Sequence, residues 1–270
     1  MKNNHKLAII IPSYNEIENL ENTSGIVSAY LQELVSRKLV HPSSFIIFVD
    51  DGSVDGSEKK LSDLQENTPN IFYKSLDHNY GHQIALIAGM DASVEQADVM
   101  ITMDCDLQQE LFAIERFLES YEKGNKIVLG VRENRSEDSL FKSLSARLYH
   151  FCITSLGIKY VKGHADYRLV ESIVYKELQN LIWANQFLRS VFSNTNYQTD
   201  IQLHKVSKRE IGSSKYSFKK MVGLALEGIF TNSLLTLKTL GYLGLSTSLF
   251  SVLLIIYGLY VKAFFDPVDG

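Results

Sequence analysis

Two carboxylates and an amide follow a short apolar segment, and their spacing is the clearest indication of chemistry in this sequence. Asp104, Asp106 and Gln108 come directly after residues 99–103, Val-Met-Ile-Thr-Met. The apolar segment predicts a buried strand that delivers oxygen atoms to one edge of a sheet. If the polar stretch is extended, its alternate side chains point the same way and can bind one divalent cation. The alternative is a solvated turn or a helix N-cap.

Two other apolar segments end in the same way. Residues 7–11 lead into Pro-Ser-Tyr-Asn-Glu, and residues 45–49 lead into Asp-Asp-Gly-Ser. Each is followed by a helical pattern, and strands that alternate with helices predict an α/β fold with a doubly wound, mostly parallel sheet. The sequence has neither G-x-G-x-x-G nor G-x-x-x-x-G-K-[ST], which disfavours a dinucleotide-binding enzyme or a P-loop enzyme. An acidic edge that binds a phosphorylated ligand needs a cation.

Composition narrows the class of protein further. The chain has 270 residues, a net charge of -4 and a pI near 6.0, which gives no reason to expect nucleic acid as a partner. Cys105 and Cys152 are the only cysteines and do not form a C-x-x-C pair, so we expect reduced thiols in a cytosolic catalytic domain. The N-terminus leads directly into the first predicted strand, and no signal peptide is expected.

A long uncharged segment lies near the C-terminus. The 23 residues between Lys238 and Lys262 carry no charge, and a helix of this length spans about 34 Å against a bilayer core of about 30 Å. We therefore predict a transmembrane helix; the alternative is a buried core helix. More lysines precede the segment than follow it, which places the catalytic domain on the cytoplasmic side of the membrane. Residues 221–230 suit an amphipathic helix before the span.

Two further segments carry positive charge. Arg132 precedes an apolar helical stripe over residues 140–155. Lys142 and Arg147 lie off that stripe, and basic residues that border an apolar helix suit a lipid phosphate at a membrane interface. The alternative is an ordinary core helix with a solvated face. Residues 208–216 contain three cations in a glycine- and serine-containing loop, which can close over a diphosphate or can simply be a solvated loop.

Taken in order, these motifs resemble glycosyltransferase family 2, whose members are inverting enzymes that use nucleotide sugars. Residues 12–16, 50–53 and 104–108 resemble its three motifs. Four more segments resemble its polyprenyl-phosphate branch, which includes dolichol-phosphate mannose synthase and bactoprenol glucosyltransferases: 79–83, 130–132, 165–169 and 209–216. The resemblance covers nearly the whole chain and implies the A-type nucleotide-sugar transferase fold.

The resemblance also implies roles for individual residues. On the donor side, the base and ribose pocket would be lined by Pro12, Tyr14, Glu16 and Asp51. Asp104 would face the donor's ribose or sugar, and Asp106 and Gln108, beside Asp104, would bind Mg²⁺ or Mn²⁺. The donor diphosphate would be clamped by Arg209 and Lys215. The acceptor phosphate would be bound by Arg132, Lys142, Ser145 and Arg147. Asp166 would be a catalytic base or a carboxylate that positions the sugar.

The sequence departs from the family pattern at three places. Gln-Glu-Leu occupies residues 109–111 where the family has Asp-Pro-Pro-Glu, so the conformation of this loop is in doubt. A family proline near residues 234–235 is missing. Most bacterial members have two spans, whereas this sequence stops after one.

Four segments and one reaction are therefore expected. Residues 1–215 form the catalytic domain, 216–241 amphipathic juxtamembrane helices, 242–265 the transmembrane helix and 266–270 a loop or truncated end. The expected reaction is inverting, metal-dependent transfer of a hexose, from UDP-glucose or a related UDP-sugar, to polyprenyl (undecaprenyl) phosphate for modification of a cell-envelope glycan. One alternative is a membrane-bound family 2 transferase with a glycolipid or polysaccharide acceptor, although residues 186–189 match Q-x-x-R-W poorly. Another is a membrane-tethered sensor of nucleotide sugars without turnover. The expected partners are the nucleotide sugar, the lipid phosphate and the membrane. The sequence is also compatible with a homo-oligomer.

Overall fold

The computed structural model describes residues 4–133, 161, 163–184, 187–205 and 234–264, with side chains in the last segment described from residue 241. The chain divides into two compact units. One unit contains every described strand, and the other contains the C-terminal helix.

The first unit is built on one seven-stranded sheet. Its strands are β1 (Leu7–Ser13), β2 (Phe45–Asp50), β3 (Ile71–Ser75), β4 (Val99–Thr102), β5 (Ile127–Arg132), β6 (His164–Glu171) and β7 (Thr199–His204). Their order across the sheet is β3-β2-β1-β4-β6-β5-β7. Strand β6 runs antiparallel to both of its neighbours, and every other pair is parallel. The predicted mostly parallel α/β sheet is confirmed.

Helices cover both faces of this sheet. They are α1 (Ile17–Ser36), α2 (Ser57–Asn67), α3 (His82–Ser93), α4 (Ala113–Glu122), α5 (Ser172–Ala184) and α6 (Leu188–Ser193). Helices α1, α2 and α4 pack on one face, and α3, α5 and α6 pack on the other. Strands β1, β2 and β4 are buried along their whole length because apolar side chains on both of their faces meet a helical layer. The fold is therefore doubly wound.

The chain order places a crevice at the C-terminal edge of the sheet. Strand β1 lies between β2 and β4, so the connections leave it in opposite directions at this point. In open α/β sheets, ligands bind at such a switch point. Ser13 is in register with Asp50, and the Asp51 N–H donates to the Ser13 carbonyl at 2.9 Å. The three polar strand ends of the sequence analysis therefore follow neighbouring strands.

The segment after β4 differs from the extended stretch that the sequence argument assumed. Strand β4 ends at Thr102, and Leu107 has a φ of 53° in the left-handed region. The Gln108 N–H donates to Oδ1 of Asp106 at 3.2 Å, as in the local turns that Asp side chains stabilise. That premise was wrong: the stretch is not extended, and Asp106 lies in a turn.

Cys105 lies within this turn as a buried free cysteine. Burial raises the pKa of its thiol to about 12. The prediction of a reduced thiol is consistent with this environment. Cys152 lies outside the described residues.

The second unit contains helix α7 (Leu234–Phe264). Within the described part of the chain, one helical segment, Gly241–Phe264, is long and apolar enough to cross a membrane, and none of it is buried. Its hydroxyl groups bond within the helix: Ser246, Thr247 and Ser251 each donate to a carbonyl three or four residues earlier at 2.9 Å. The segment overlaps residues 242–265, for which the sequence predicts a transmembrane helix. The helix begins at Leu234, so part of the expected juxtamembrane segment continues directly into the apolar helix.

Candidate active site

The loops after β1 and β2 hold each other in place. The Asn15 N–H donates to Oγ of Ser53 at 2.8 Å, and the Val54 N–H donates to Oδ1 of Asn15 at 2.9 Å. Tyr14 is exposed beside this contact, and Glu16 accepts a hydrogen bond from the Asn19 side chain at the start of α1. Pro12, by contrast, is buried within β1. The residues expected at the nucleotide pocket therefore surround one braced pair of loops.

Asp51 fixes a third loop against this pair. Its two carboxylate oxygens accept the N–H groups of Tyr80 and Gly81 at 2.8 and 2.9 Å. Burial raises the pKa of Asp51, and these two N–H groups oppose the rise. Gly52 brings the backbones together: a Cβ there would lie 2.4 Å from the carbonyl carbon of His78, and its φ is +66°. Asp51 thus acts as a brace for the loop before α3.

His82, the first residue of α3, lies between two carboxylates. Its Nε2 is 3.7 Å from Oδ1 of Asp104 and 3.7 Å from Oδ2 of Asp166. The three residues come from α3, the turn after β4 and strand β6. Because β6 is antiparallel, its early residue Asp166 reaches the edge where β4 ends.

Gln109 holds Asp104 in a two-point contact. The Asp104 N–H donates to Oε1 of Gln109 at 2.8 Å, and Nε2 of Gln109 donates to Oδ2 of Asp104 at 2.8 Å. Burial is the main cause that raises the pKa of Asp104, and it is opposed by the charges of His82 and Arg132. The negative charges of Asp166 and Asp106 raise the same pKa. Four residues of the predicted site, Asp104, Asp106, Asp166 and Arg132, therefore share one electrostatic environment with His82.

Asp166 is paired with two arginines. Oδ2 of Asp166 lies 2.7 Å from Nη2 of Arg189, and Oδ1 accepts a hydrogen bond from Arg168. Arg168 is fully buried and lies 5.4 Å from the centre of the Phe192 ring. Burial raises the pKa of Asp166, but the guanidinium groups of Arg189 and Arg168 outweigh it and hold the pKa well below its usual range. Asp166 is thus an ionised and weakly basic carboxylate.

Arg132 is the last residue of β5, so it lies at the same edge of the sheet, and it is exposed. Its backbone N–H donates to the Gly163 carbonyl at 3.1 Å. Its charge lowers the pKa of Asp104, so the two side chains share one electrostatic environment. The other residues expected at phosphate groups lie outside the described residues; they are Lys142, Ser145, Arg147, Arg209 and Lys215.

The oxygen donors expected to bind a metal fit a hard divalent cation by their chemistry. Asp104, Asp106 and Gln108 offer carboxylate and amide oxygens, which Mg²⁺ and Mn²⁺ prefer. No group of three His, Cys, Asp or Glu residues in the described ranges forms a preassembled metal cluster. A cation here would complete its coordination with oxygens from water or a bound diphosphate.

Sequence reasoning missed three residues of this arrangement. His82 lay in the motif at residues 79–83 without an assigned role, Arg189 in the poor match to Q-x-x-R-W, and Gln109 counted only as a departure from the family. A histidine directly after Gly81, inside a motif of the resemblance, was a usable signal. No such signal identified Arg189, because its contact with Asp166 joins residues that are 23 positions apart.

Several known proteins resemble this chain in sequence or in fold. The sequence profile described as Glycosyl transferase family 2 matches residues 8–177. The uncharacterized glycosyltransferase YkoT of Bacillus subtilis is 33% identical, over 88% of this chain and 71% of its own. A bactoprenol glucosyl transferase of Shigella phage SfX is 29% identical, over 98% of this chain and 85% of its own. In fold, the chain is similar to glucosyl-3-phosphoglycerate synthase from Mycobacterium tuberculosis, solved with Mn²⁺, UDP and glucosyl-3-phosphoglycerate: the TM-score is 0.51, with 15% identity over 84% of this chain and 78% of that one.

Proposed function

Because the chain belongs to glycosyltransferase family 2, we propose that it transfers a hexose from a nucleotide sugar to a polyprenyl phosphate. The proposed product is a polyprenyl-phosphate sugar, with UDP-glucose or a related UDP-sugar as the donor. The similarity to a bactoprenol glucosyl transferase over almost the whole chain supports a lipid-phosphate acceptor.

The pairing of Asp166 with Arg168 and Arg189 is the observation that carries this proposal. A hydroxyl acceptor must lose a proton as it attacks, so it needs a general base whose pKa lies near the working pH. Asp166, the carboxylate that the resemblance offers for this task, has a pKa well below its usual range. A phosphate monoester has a second pKa of about 6 and is mostly dianionic near pH 7. It can attack without a base, and this site suits it.

The proposed reaction is one displacement. A phosphate oxygen of the lipid forms a bond to the anomeric carbon while the bond from that carbon to the nucleoside diphosphate breaks. The bonding electrons leave with the diphosphate, and the anomeric configuration inverts. Asp166 positions the donor sugar, and Arg132 binds the acceptor phosphate by charge-assisted hydrogen bonds.

On the donor side we propose that Asp106 and Gln108, with Asp104 beside them, hold Mg²⁺ or Mn²⁺, whose charge would stabilise the departing diphosphate. The Mn²⁺ and UDP bound by the M. tuberculosis neighbour support a divalent cation and a uridine nucleotide. Arg209 and Lys215 are proposed to contact the same diphosphate. Pro12, Tyr14, Glu16 and Asp51 are proposed to form the base and ribose pocket.

We propose that α7 anchors the protein in the membrane that contains the lipid acceptor, with the catalytic unit on the cytoplasmic side of a bacterial inner membrane. The 24 residues of Gly241–Phe264 span about 36 Å at about 1.5 Å per residue, enough for a bilayer core. Tyr242 lies near one end and Tyr257 and Tyr260 near the other, as in the aromatic belts of membrane helices. Truncation before Leu243 is expected to release more of the protein from membranes.

A radiolabelled donor assay tests the reaction. The full chain in detergent is incubated with UDP-glucose and Mn²⁺, with undecaprenyl phosphate or without it, and the product is analysed by mass and anomeric coupling. We expect a lipid-dependent product with one phosphate and inverted configuration. A product with two phosphates, a retained configuration, or transfer to a glycolipid or polysaccharide hydroxyl instead of the lipid phosphate would contradict the proposal. Binding without turnover would indicate a sensor.

A further inference from the structure

We infer that His82, Asp104 and Asp166 form a subsite for one hydroxyl group of the transferred hexose, and that His82 selects donors that carry this hydroxyl. The inference rests on the proposed function, because it assigns a role within the same donor site. It adds a specificity-determining residue to the expected carboxylates.

The spacing of the three side chains carries the inference. Nε2 of His82 is 3.7 Å from an oxygen of each carboxylate, whereas a direct N–H···O bond spans about 2.7–3.2 Å. His82 is therefore close to both carboxylates without bonding directly to either one. An oxygen atom placed between them can lie within hydrogen-bond distance of Nε2 and of a carboxylate oxygen.

A hydroxyl group can both accept and donate a hydrogen bond, as this arrangement of side chains requires. Its oxygen can accept from Nε2–H of His82, and its single hydrogen can be donated to Asp104 or Asp166. Asp104 and Asp166 alone can only accept when ionised, so His82 is the member of the subsite that donates. A deoxy sugar would leave these polar groups without their partner, which is how sites that bind hydroxyl groups reject analogues.

Each member of the subsite is held by the surrounding structure. His82 follows the loop that Asp51 fixes through the N–H groups of Tyr80 and Gly81. Gln109 holds Asp104. The two arginines hold Asp166, whose side chain is 5% exposed. Such preorganisation is what a precise binding site requires.

The subsite is also reachable by a ligand. The His82 side chain is 39% exposed and that of Asp104 is 29% exposed. The opening therefore lies on the side of His82 and Asp104, while Asp166 forms the base. A sugar that enters with its diphosphate toward the turn after β4 meets His82 at the rim.

The test compares the full chain in detergent with three variants, His82→Ala, His82→Gln and His41→Ala. Glutamine keeps an N–H donor near the position of Nε2, and His41 is an exposed histidine outside the proposed site. Donors are UDP-glucose, UDP-galactose, UDP-N-acetylglucosamine and GDP-mannose with undecaprenyl phosphate. The donor with the highest kcat/KM is then compared with its monodeoxy analogues.

We expect one monodeoxy analogue to lower the wild-type kcat/KM by about tenfold to a hundredfold, the usual range for one hydrogen bond to a charged group. His82→Ala should lower kcat/KM for the parent donor by a similar factor, yet change it less than about threefold for that analogue. His82→Gln should recover most of the activity, and His41→Ala should match wild type. The affinity for UDP alone, measured by calorimetry, should stay within about threefold in all variants.

Three results would overturn the inference while leaving the proposed function intact: an equal loss for His82→Ala with every analogue, full activity of His82→Ala, or a stably folded His82→Gln as impaired as the alanine variant. Thermal unfolding of each variant separates misfolding from loss of the subsite. If His82→Ala does not fold, the glutamine variant with the analogue series decides. If wild type transfers sugar from none of the four donors, the proposed function fails and the subsite with it.

Discussion

The side-chain amide of Gln109 contacts both the backbone and the carboxylate of Asp104, each at 2.8 Å. Gln109 is 4% exposed, so this contact lies within the protein. The contact fixes Asp104 from the buried side. The family pattern has an aspartate at the position of Gln109. An amide can donate to a carboxylate, whereas a second carboxylate would repel it.

Replacement of Gln109 should therefore affect both stability and activity. Gln109→Leu leaves the Asp104 N–H and a carboxylate oxygen without their partners, and we expect the free energy of unfolding to fall by about 1–3 kcal/mol. A displaced Asp104 should lower kcat roughly tenfold to a hundredfold. Chemical denaturation and the donor assay measure the two effects. Gln96→Leu is the matched control, since Gln96 is exposed in the turn that follows α3. Equal behaviour of the two variants would contradict the role of the contact between Gln109 and Asp104.

Gly52 should be sensitive to the smallest substitution. A Cβ there would overlap the backbone of His78, and a φ of +66° disfavours any L side chain; the left-handed conformation alone costs about 1–2 kcal/mol. We expect Gly52→Ala to lower Tm and to displace the loop that carries His82, so that kcat/KM falls as well. Gly25→Ala is the control: Gly25 lies in α1 with open space around it, and alanine there should be neutral or stabilising by up to about 1 kcal/mol. A Gly52→Ala variant as stable as wild type would refute the close approach.

The sequence predicted the sheet edge because its signals are local. Apolar segments that end in Asp51 or Asp104 identify buried strands and their C-terminal ends without any long-range information. The alternation of strands and helices then requires those ends to meet. The same reasoning failed at the turn after β4, because one hydrogen bond between Asp106 and the Gln108 N–H outweighs the preference for an extended chain.

The partners of the carboxylates could not be predicted in the same way. Arg189 meets Asp166 only after α6 packs on the sheet, and His82 approaches it only because β6 runs antiparallel. Arg168 is the clearest case of a contact that the sequence does not predict. It lies only two residues from Asp166, yet no sequence pattern indicates that it is fully buried. These contacts depend on tertiary packing and on charge pairing in the interior.

His164 should make the folded state sensitive to mild acid. It is 4% exposed, and within the described ranges neither ring nitrogen has a hydrogen-bond partner. Burial and the charge of Arg168 hold its pKa well below 6.5. The unfolded chain binds this proton near pH 6.5 and the folded chain does not, so stability is complete above that pH and declines below it. Between pH 7.5 and pH 5.5 this one histidine should cost roughly 1 kcal/mol. Urea unfolding at both pH values should show a smaller loss in His164→Leu; the same loss in both proteins would contradict this assignment.

Metal dependence follows from the oxygen-only donor set on the turn after β4. Activity should disappear with a chelator and return with Mn²⁺ or Mg²⁺. Asp106→Ala should lower kcat by orders of magnitude, because a cation at the leaving diphosphate stabilises charge that develops as the bond breaks. Asp63→Ala, a change to an exposed carboxylate on α2, should leave activity unchanged. Full activity of the wild-type chain in metal-free buffer would rule out this site.

Arg132 should distinguish the acceptor from the donor. It is exposed at the end of β5, and its charge acts on Asp104 across the edge of the sheet. If it binds the acceptor phosphate, Arg132→Ala should raise the KM for undecaprenyl phosphate and leave the affinity for UDP nearly unchanged. The loss of one charge-assisted contact is worth about 1.5–3 kcal/mol, which corresponds to roughly tenfold to a hundredfold in KM. Arg37→Ala is the control, because Arg37 follows α1 at the opposite end of the sheet and pairs with Glu115. Weaker UDP binding with an unchanged KM for the lipid would instead place Arg132 on the donor diphosphate, and the acceptor site would then have to lie elsewhere on this edge.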